Sequence, residues 1–434
     1  MPIESFTVKN FRSFVDATEI QLRPLTLLFG YNSAGKSALL RTLPLLAASL
    51  RSPERAPIAL ACAAARQASF ADLLPHPALS ASRQLSFSLA FRLGPSGTLG
   101  PERVTWRIRD LPELRQQVVE EFDYAAADGS RLHALWQLTP SGPTRPGSQY
   151  EVHINGFLAG EMFISFQGLV PEFHEPTGTW RAPLDRLIDL FKVLRAERAN
   201  VQWLSSVRRT PDRHLRWRNA APSMLEPDGL GASDMLAYDD LAKGPLLGSV
   251  SAWYEKHLGW RLKVSHPADQ YRLLMGPSSN SLVEVDVADV GEGLTQVLPV
   301  LVAAARLRDS SGNAPRILAV EEPESHLHPR LHAALTGSFC ELAALPDPPQ
   351  IILETHSENI LLRVQLAVAE GQLSPEKVIV YWVRQSSDGR SRIDPVEFDS
   401  LGQPKGNNWP PGVFSEDLDQ ARKLLEAQRC QSRS

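Results

Sequence analysis

The 434-residue sequence contains little cysteine, no long apolar run and no excess of basic charge. Its three cysteines, Cys62, Cys340 and Cys430, lie far apart, which excludes a disulfide framework and the close cysteine spacing of zinc sites. No apolar run approaches the ~18 residues that predict a membrane span. The charged N-terminus does not resemble a signal peptide. We therefore expect a cytoplasmic protein with no membrane partner.

The charge balance gives a formal net charge of -4, from 45 Lys and Arg against 49 Asp and Glu. This excludes a chain that binds nucleic acid through its overall charge, so any such contact needs a local basic patch. The region from about 52 to 276 also shows no internal repeat and no sustained heptads, which excludes long coiled-coil arms. The 43% of hydrophobic and 22% of charged residues are typical of a globular fold.

Regular hydrophobic patterns lie in two blocks, one at each end of the chain. The first block predicts strands at 3–8, 18–22 and 25–29, followed by a helix from Ser37. The second block predicts further strands and helices, namely strands at 282–287, 317–320, 351–353, 377–384 and 391–398, and helices at 295–308 and 357–370. Buried strands that alternate with helices indicate an α/β fold.

The region between these blocks is rich in Pro, Ala, Arg and Trp. It contains strand-like stretches at 84–91 and 149–154, and its best helical candidate is 184–207. We therefore predict an α/β head with a mixed sheet, split by a large inserted lobe. The predicted parts are a head segment at 1–51, the inserted lobe at 52–276, a second head segment at 277–398, and a tail at 399–434 with a charged helix at 415–428.

A phosphate-binding loop is predicted at GYNSAGKS, residues 30–37, which fits G-x-x-x-x-G-K-[ST] between a buried strand and a helix. The glycines let successive N–H groups face an anion, and the helix N-terminus adds its dipole at the same point. Lys36 is expected to reach the β- and γ-phosphates, and the Ser37 hydroxyl is expected to bind Mg²⁺. The predicted cofactors are therefore ATP and Mg²⁺.

An acidic strand end follows at ILAVEEPE, residues 317–324. Phosphoryl transfer to water needs both a metal and a base near the γ-phosphate. We assign Glu321 to the metal, with a reach longer than that of the commoner aspartate. We assign Glu322 to the attacking water.

Histidines complete the predicted site. His356 follows the strand at 351–353 and therefore lies at the carboxyl edge of the sheet, where α/β proteins bind ligands. There it can contact the γ-phosphate and sense its presence. His326 and His328 lack further ligands at zinc-site spacing, so we expect them at a subunit interface near the nucleotide instead.

Both blocks resemble the ABC-type ATPase heads of the SMC, RecF and OLD group. VKNFRSF and LTLLFGYNSAGKSALL resemble the group's first strands and phosphate loop, with Asn32 where the group has a γ-phosphate-contacting asparagine. DVGEGLTQ at 289–296 lies where the group has its signature motif, in a form similar to that of OLD-like and AAA-type defence ATPases. EEPESHLHP and ETHSE resemble the same branch, and the WPPGVF run resembles the tail of an uncharacterised bacterial ATPase family.

The resemblance implies that ATP joins two copies of the chain, because the signature loop of one head closes on the nucleotide of the other. A homodimer is thus expected, and higher homo-oligomers stay open. The resemblance assigns catalysis to Lys36, Glu322 and His356, and the metal to Ser37 and Glu321. The nucleotide-binding candidates are Asn10, Arg12, Gly30, Asn32, Ser33, Ala34, Gly35, Lys36, Ser37, Ala38, Gly291 and Gly293.

An arginine-rich stretch in the middle region combines positive charge with an aromatic ring. It could hold a nucleic-acid backbone while the tryptophan stacks on a base, or it could be a solvated face or a partner interface. Its residues are Arg208, Arg209, Arg213, Arg216, Trp217 and Arg218.

The residues and the resemblance together predict an ATP-driven conformational switch, the ATPase subunit of a bacterial anti-phage defence or genome-maintenance system. The sequence shows no nuclease motif, so we expect a separate effector protein, a nuclease or a toxin. Two alternatives stay open: a RecF-like DNA-binding ATPase in DNA repair, and an ATP-bound scaffold with slow turnover.

Overall fold

A computed structural model describes residues 3–91, 102–137, 149–174, 181–196, 200–217, 219–267, 269–280, 282–308 and 315–407. Its strands are β1 Ile3–Lys9, β2 Thr18–Gln21, β3 Leu25–Gly30, β4 Gln84–Phe91, β5 Glu102–Leu111, β6 Gln116–Ala125, β7 Arg131–Trp136, β8 Gln149–Ile154, β9 Phe157–Gln167, β10 Val170–His174, β11 Val201–Leu204, β12 Leu215–Arg216, β13 Trp260–Ser265, β14 Gln270–Pro277, β15 Val285–Asp286, β16 Ile317–Glu321, β17 Gln350–Thr355, β18 Val378–Gln385 and β19 Ser391–Val396. Its helices are α1 Lys36–Arg51, α2 Phe70–Leu73, α3 Arg181–Arg195, α4 Ala232–Leu241, α5 Leu246–Leu258, α6 Glu292–Arg306, α7 Pro329–Ala344 and α8 Glu358–Ala369.

A six-stranded sheet in the order β11-β16-β17-β3-β18-β19 forms the centre of the fold. Its neighbours pair in parallel except β18 and β19, which are antiparallel. The strand β3, LTLLFG, is buried along its whole length, as expected of a parallel strand covered on both faces. Because β3, β16 and β17 run the same way, the segments that follow them meet at one edge of the sheet. The predicted α/β fold with a mixed sheet is confirmed.

The two faces of this sheet pack against different partners. Leu28 faces a core shared with α1 and the nine-stranded sheet described below. Leu25 and Leu27 face a second core, shared with α6, α7 and α8. This alternation is the two-residue period of a β-strand, and it places each face of β3 in an apolar layer.

A nine-stranded antiparallel sheet lies on the α1 side, in the order β10-β9-β8-β7-β6-β5-β4-β1-β2. It joins strands from the predicted head, β1 and β2, to seven strands from the middle region. The turn before β10 packs directly on α1, since a Cβ on Gly168 would lie 1.8 Å from the Ser49 carbonyl oxygen. Gly168 also has a φ of +56°, a conformation that glycine adopts without strain.

A small third sheet contains β12, β14 and β13, with β15 paired to β14. Together with α4 and α5 it packs on α6 through the second core. No helix among the described ranges is long and apolar enough to cross a membrane.

The structure corrects the predicted helix at 184–207. The helix ends at Arg195, and Val201–Leu204 is a strand that pairs in parallel with β16. Val201 and Trp203 have high strand propensity, and burial at the edge of the main sheet decides their conformation. Residues 52–276 thus contribute β11 to the six-stranded sheet.

The boundaries of the other predicted strands and helices differ less from those in the structure. The strand predicted at 282–287 is shorter, because only Val285–Asp286 pairs, whereas Leu282 is almost fully exposed. The helix predicted from 295 begins at Glu292. The strands predicted at 84–91 and 149–154 are confirmed. The predicted helix at 415–428, the tail motif, Cys430 and Arg218 lie outside the described residues.

Candidate functional site

The phosphate loop depends on glycine at two positions. Gly30 has a φ of +152°, and a Cβ there would lie 2.1 Å from the Val383 carbonyl oxygen. Gly35 has a φ of +106°, and a Cβ there would lie 2.9 Å from the Phe14 ring. Any other residue would shift the loop away from β18 or from the Phe14 ring, so both glycines of the motif have a structural reason. Asn32 and Ser33 are exposed at the top of the loop.

Lys36 lies inside the loop that precedes it. Its Nζ donates to the carbonyl oxygens of Gly30 and Tyr31 at 3.0 Å and 2.8 Å. Burial lowers the pKa of Lys36, while the carboxylates of Glu354 and Glu322 oppose the shift. The loop therefore holds an ammonium group in a largely desolvated position, where its attraction for a phosphate is strong.

The carboxylate next to Ser37 is Glu354, a residue to which the sequence assigned no role. The Ser37 hydroxyl donates to Glu354 Oε1 at 2.6 Å. Within the described structure the other oxygen, Oε2, is buried without a hydrogen-bond partner. Burial raises the pKa of Glu354 to about 7, and the Ser37 hydrogen bond opposes that shift.

Glu321 is engaged elsewhere. Arg41 of α1 donates to both of its oxygens, from Nε at 2.6 Å and from Nη2 at 2.5 Å. Trp203 Nε1 also donates to Oε1 at 3.0 Å. Both Ser37 and Glu321 are predicted metal residues, but in this structure Ser37 contacts Glu354 and Glu321 contacts Arg41.

The residues near Ser37 fit a divalent cation. A hydroxyl oxygen and an unpartnered carboxylate oxygen meet there, and hard cations such as Mg²⁺ prefer oxygen ligands of this kind. An orphaned buried carboxylate oxygen is costly unless a cation or a donor binds it. Ser37 and Glu354 are thus the residues that could hold Mg²⁺ in this arrangement.

Glu322 leaves the strand in a strained conformation that redirects the chain. Its φ is +41°, which is unusual for a residue other than glycine. Its N–H donates to the Glu354 carbonyl oxygen at 2.8 Å, and Ser325 donates to its backbone carbonyl at 3.0 Å. Glu322 thus directly follows the end of β16, at the sheet edge that also carries the phosphate loop.

His356 lies beside the phosphate loop. Burial and the nearby Lys36 lower the pKa of His356, whereas Glu322 and a hydrogen bond with the Gly30 backbone raise it. The His356 N–H donates to Glu324 Oε1 at 3.0 Å, and the Thr355 hydroxyl donates to the same oxygen at 2.6 Å. Glu324 therefore fixes the segment that carries the histidine.

Arg208 is a second residue whose place the sequence did not reveal. Its side chain is buried, and Nη2 donates to the carbonyl oxygens of Glu321 and Glu322. Burial lowers the pKa of Arg208 to about 10, and Glu324 and Glu321 oppose that shift. The assignment of Arg208 to an exposed patch is wrong, because its guanidinium is buried and donates to the backbone of the acidic strand end.

The rest of the arginine-rich stretch is tied to its own chain. Arg213 makes a two-pronged ion pair with Asp289, at 2.7 Å and 2.5 Å, and Arg209 lies 3.5 Å from Asp228. The Trp217 ring stacks on His266 with a centroid separation of 5.6 Å. Arg216 is exposed on β12. The described members of the stretch therefore do not form one free basic surface.

The signature run, residues 289–296, lies beside the acidic turn of the same chain, which is the turn at residues 322–327 after β16. Helix α6 begins at Glu292, and Gly291 precedes it without a side-chain cap. A Cβ on Gly293 would lie 2.3 Å from the His326 carbonyl oxygen, whereas a Cβ on Gly291 would meet nothing within 4 Å. Gln296 donates to the Glu292 carboxylate at 3.1 Å, which holds that charge to one side.

A cavity of about 530 Å³ lies beside the start of α1, and Arg12, Ala38 and Arg41 are among its lining residues. Burial lowers the pKa of Arg12, and Asp72 opposes the shift. Asn10 accepts a hydrogen bond from Ser80 at 3.3 Å. Of the predicted residues before the loop, Arg12 lines this cavity, and nothing in the sequence indicated that Arg41 lines it too.

Two family models match the two parts of the chain that build this site. A model described as "AAA ATPase domain" matches residues 1–77, which include the phosphate loop. A model described as "AAA domain, putative AbiEii toxin, Type IV TA system" matches residues 172–363, which include the signature run, the acidic strand and His356. These two matches support a P-loop ATPase domain built from the two parts of the chain.

One solved structure to which this chain is similar is an SMC head domain from Thermotoga maritima. The two share 12% sequence identity with a TM-score of 0.41, and the alignment covers 92% of this chain and 100% of that chain. No curated protein matches the sequence.

Proposed function

We propose that the chain binds and hydrolyses ATP and that ATP closes two copies into a dimer. The observation that carries the hydrolytic part is the convergence of Lys36, Ser37 and Glu354 with the acidic turn and His356 at one sheet edge. The carboxyl edge of a parallel sheet is where α/β proteins bind ligands.

The roles follow from charge and position. Lys36 neutralises the phosphates, and the open N–H groups of the loop bind their oxygens. Mg²⁺, when bound, neutralises charge between the β- and γ-phosphates. Glu322 accepts a proton from the attacking water. His356 contacts the γ-phosphate through a ring N–H, which even the neutral imidazole can donate. Glu324 and Arg208 keep the backbone of both residues in place.

The dimer part of the proposal is supported by Gly291. It precedes the N-terminus of α6 with open space around it, so a phosphate of a second copy has access to the helix dipole and to its free N–H groups. Such a two-fold contact would use the same surfaces on both copies.

We further propose that this switch controls a separate effector in a bacterial defence system. The match of residues 172–363 to a model described as "AAA domain, putative AbiEii toxin, Type IV TA system" supports a toxin–antitoxin or defence setting. The separate effector is proposed because the sequence shows no nuclease motif of its own. Within the described ranges, one group of three side chains is close enough together to bind a metal ion, namely Glu121, Asp123 and His133 on the nine-stranded sheet. Because Arg107 is ion-paired with Glu121, this group gives little support for nuclease chemistry within the chain.

A DNA-binding repair ATPase draws less support. Four of the arginine-rich stretch's members are either buried or engaged by carboxylates and rings of the same chain, namely Arg208, Arg209, Arg213 and Trp217. The described part of this stretch therefore has little positive charge left that could bind a nucleic-acid backbone and release its counterions.

The test compares wild type with Lys36→Ala and Glu322→Gln by ATP calorimetry, phosphate release and light scattering. We expect Lys36→Ala to lose ATP binding, because the phosphates lose their counter-charge. Glu322→Gln should bind ATP, release phosphate at least about a hundredfold more slowly, and accumulate as a dimer. Turnover of Glu322→Gln near the wild-type rate would contradict the hydrolytic role. Dimers without measurable wild-type turnover would favour the scaffold alternative.

A further inference from the structure

Only one of the two carboxylate oxygens of Glu354 has a hydrogen-bond partner in the described structure. One oxygen accepts the Ser37 hydroxyl at 2.6 Å, whereas the other is buried and has no partner among the residues that the structure describes. Glu354 is 3% exposed. A buried carboxylate oxygen without a donor destabilises the fold unless something else binds it. The side chain is thus placed at a cost in stability, beside the hydroxyl of the phosphate loop.

The neighbouring carboxylate is already satisfied. Glu321 and Glu354 are paired residues of the adjacent parallel strands β16 and β17. Both oxygens of Glu321 accept from Arg41, and Oε1 also accepts from Trp203. Arg41 stacks over the same Trp203 ring at 5.8 Å. To bind a cation, Glu321 would have to leave a buried two-pronged ion pair, and breaking such pairs is strongly unfavourable.

We propose that Glu354, with Ser37, is the protein's direct carboxylate ligand for the divalent cation of the nucleotide, and that Glu321 anchors Arg41. The inference rests on the proposed ATP binding and assigns its metal site to a residue of β17. Of the two neighbouring carboxylates, Glu354 is the one that contacts the Ser37 hydroxyl and has an oxygen free. Carboxylate and hydroxyl oxygens are ligands that Mg²⁺ and Mn²⁺ share.

The anchoring role of Glu321 has its own consequence. Arg41 lines the cavity beside Arg12 and Ala38, next to the helix that begins at the phosphate loop. Through Glu321 and Trp203, the acidic strand and β11 hold this guanidinium in a fixed position. Glu321 is therefore a positioning residue for the Arg41 guanidinium at this cavity. Loss of Glu321 should weaken nucleotide binding more than it weakens binding of the divalent cation.

The first experiment measures Mn²⁺ binding to the full-length protein by electron paramagnetic resonance, with saturating ADP. We expect Glu354→Gln to weaken Mn²⁺ binding at least about tenfold, because loss of a direct ligand should cost no less than loss of a supporting residue, which costs about 10- to 100-fold. Glu321→Gln should stay within about threefold of wild type, and so should the exposed control Glu341→Gln on α7. Equal losses in Glu321→Gln and Glu354→Gln, or an unchanged Glu354→Gln, would overturn the assignment.

The second experiment changes the metal preference, because a merely structural role of Glu354 would not do so. A thiolate favours soft metals, so Glu354→Cys should raise the ratio of Cd²⁺ to Mn²⁺ affinity at least about tenfold over wild type. An unchanged ratio in a folded Glu354→Cys protein contradicts the inference. This variant also decides the matter if Glu321→Gln fails to fold.

The two proposals fail in different ways. ADP binding is measured in parallel with a fluorescent ADP analogue, in EDTA and in Mn²⁺. If the wild type binds no ADP under either condition, the proposed function is wrong and the inference with it. If ADP binds and Mn²⁺ strengthens it equally in wild type and Glu354→Gln, only the inference is wrong.

Discussion

The carbonyl oxygen of His326 occupies the space that a side chain on Gly293 would need, since a Cβ there would lie 2.3 Å from it. The signature run is therefore fitted against the acidic turn of its own chain. Gly293 is required by packing within one copy, whereas Gly291, two residues earlier, has open space around it. The two glycines of the motif should thus respond to mutation in different ways.

For Gly293→Ala we expect a loss of about 2 kcal/mol in the free energy of unfolding, because the added methyl group must displace backbone rather than a flexible side chain. Urea unfolding monitored by circular dichroism measures this. The matched control is Gly337→Ala in the helix α7, where a Cβ would come no closer than 3.6 Å to the Arg363 side chain. A stability for Gly293→Ala equal to that of the control would mean that the α6 start can shift freely.

For Gly291 the informative pair is Gly291→Asp and Gly291→Asn. The backbone there has a φ of -55° and a ψ of 140°, which any residue can adopt at a helix start. We expect both variants to keep wild-type stability within about 0.5 kcal/mol. Because a carboxylate repels a phosphate, only the aspartate should abolish ATP-dependent dimerisation, measured by light scattering. Dimerisation that survives in Gly291→Asp would place the partner's nucleotide elsewhere.

Arg208→Met and Arg209→Met differ by one position and should differ sharply in effect. Arg208 is buried and donates to the carbonyl oxygens of Glu321 and Glu322, so its removal leaves both without that donor. We expect a loss of about 3 kcal/mol and slower ATP turnover. Arg209 is half exposed in a long ion pair, and its change should stay within about 0.5 kcal/mol. Thermal unfolding and phosphate release measure both, and similar behaviour would contradict the buried role of Arg208.

DNA binding should be weak or absent, because three of the four described arginines of the stretch, Arg208, Arg209 and Arg213, are engaged within the chain. A salt titration of wild type decides this, since phosphate contacts give a steep slope of log affinity against log salt. Changing Arg209, Arg213 and Arg216 to Glu should leave any DNA affinity almost unchanged and should instead weaken an oligomer or partner complex. A drop in slope of nearly one unit per residue would restore the nucleic-acid interpretation.

Local sequence predicted much of the central fold. The strand β3, the loop at 30–37 and the start of α1 follow from residues within about twenty positions of one another, because buried strands, glycine turns and helix starts have local signatures. Strands β4 and β8 were likewise readable from their alternation. The edge strand β11 was not, since four residues after a helix carry too little pattern to reveal a partner more than a hundred residues away.

The sequence by itself placed Lys36, Ser37, Glu322 and His356 at one edge of the sheet, because their motifs follow buried strands of the kind found in parallel sheets. Only the tertiary structure decided how the remaining charges are distributed. Whether Glu321 meets the loop or Arg41, and whether Arg208 is exposed or buried, depends on contacts between β11, β16, β17 and α1. Two adjacent carboxylates have the same chemistry in a sequence, and only burial and the nearest donor distinguish their roles.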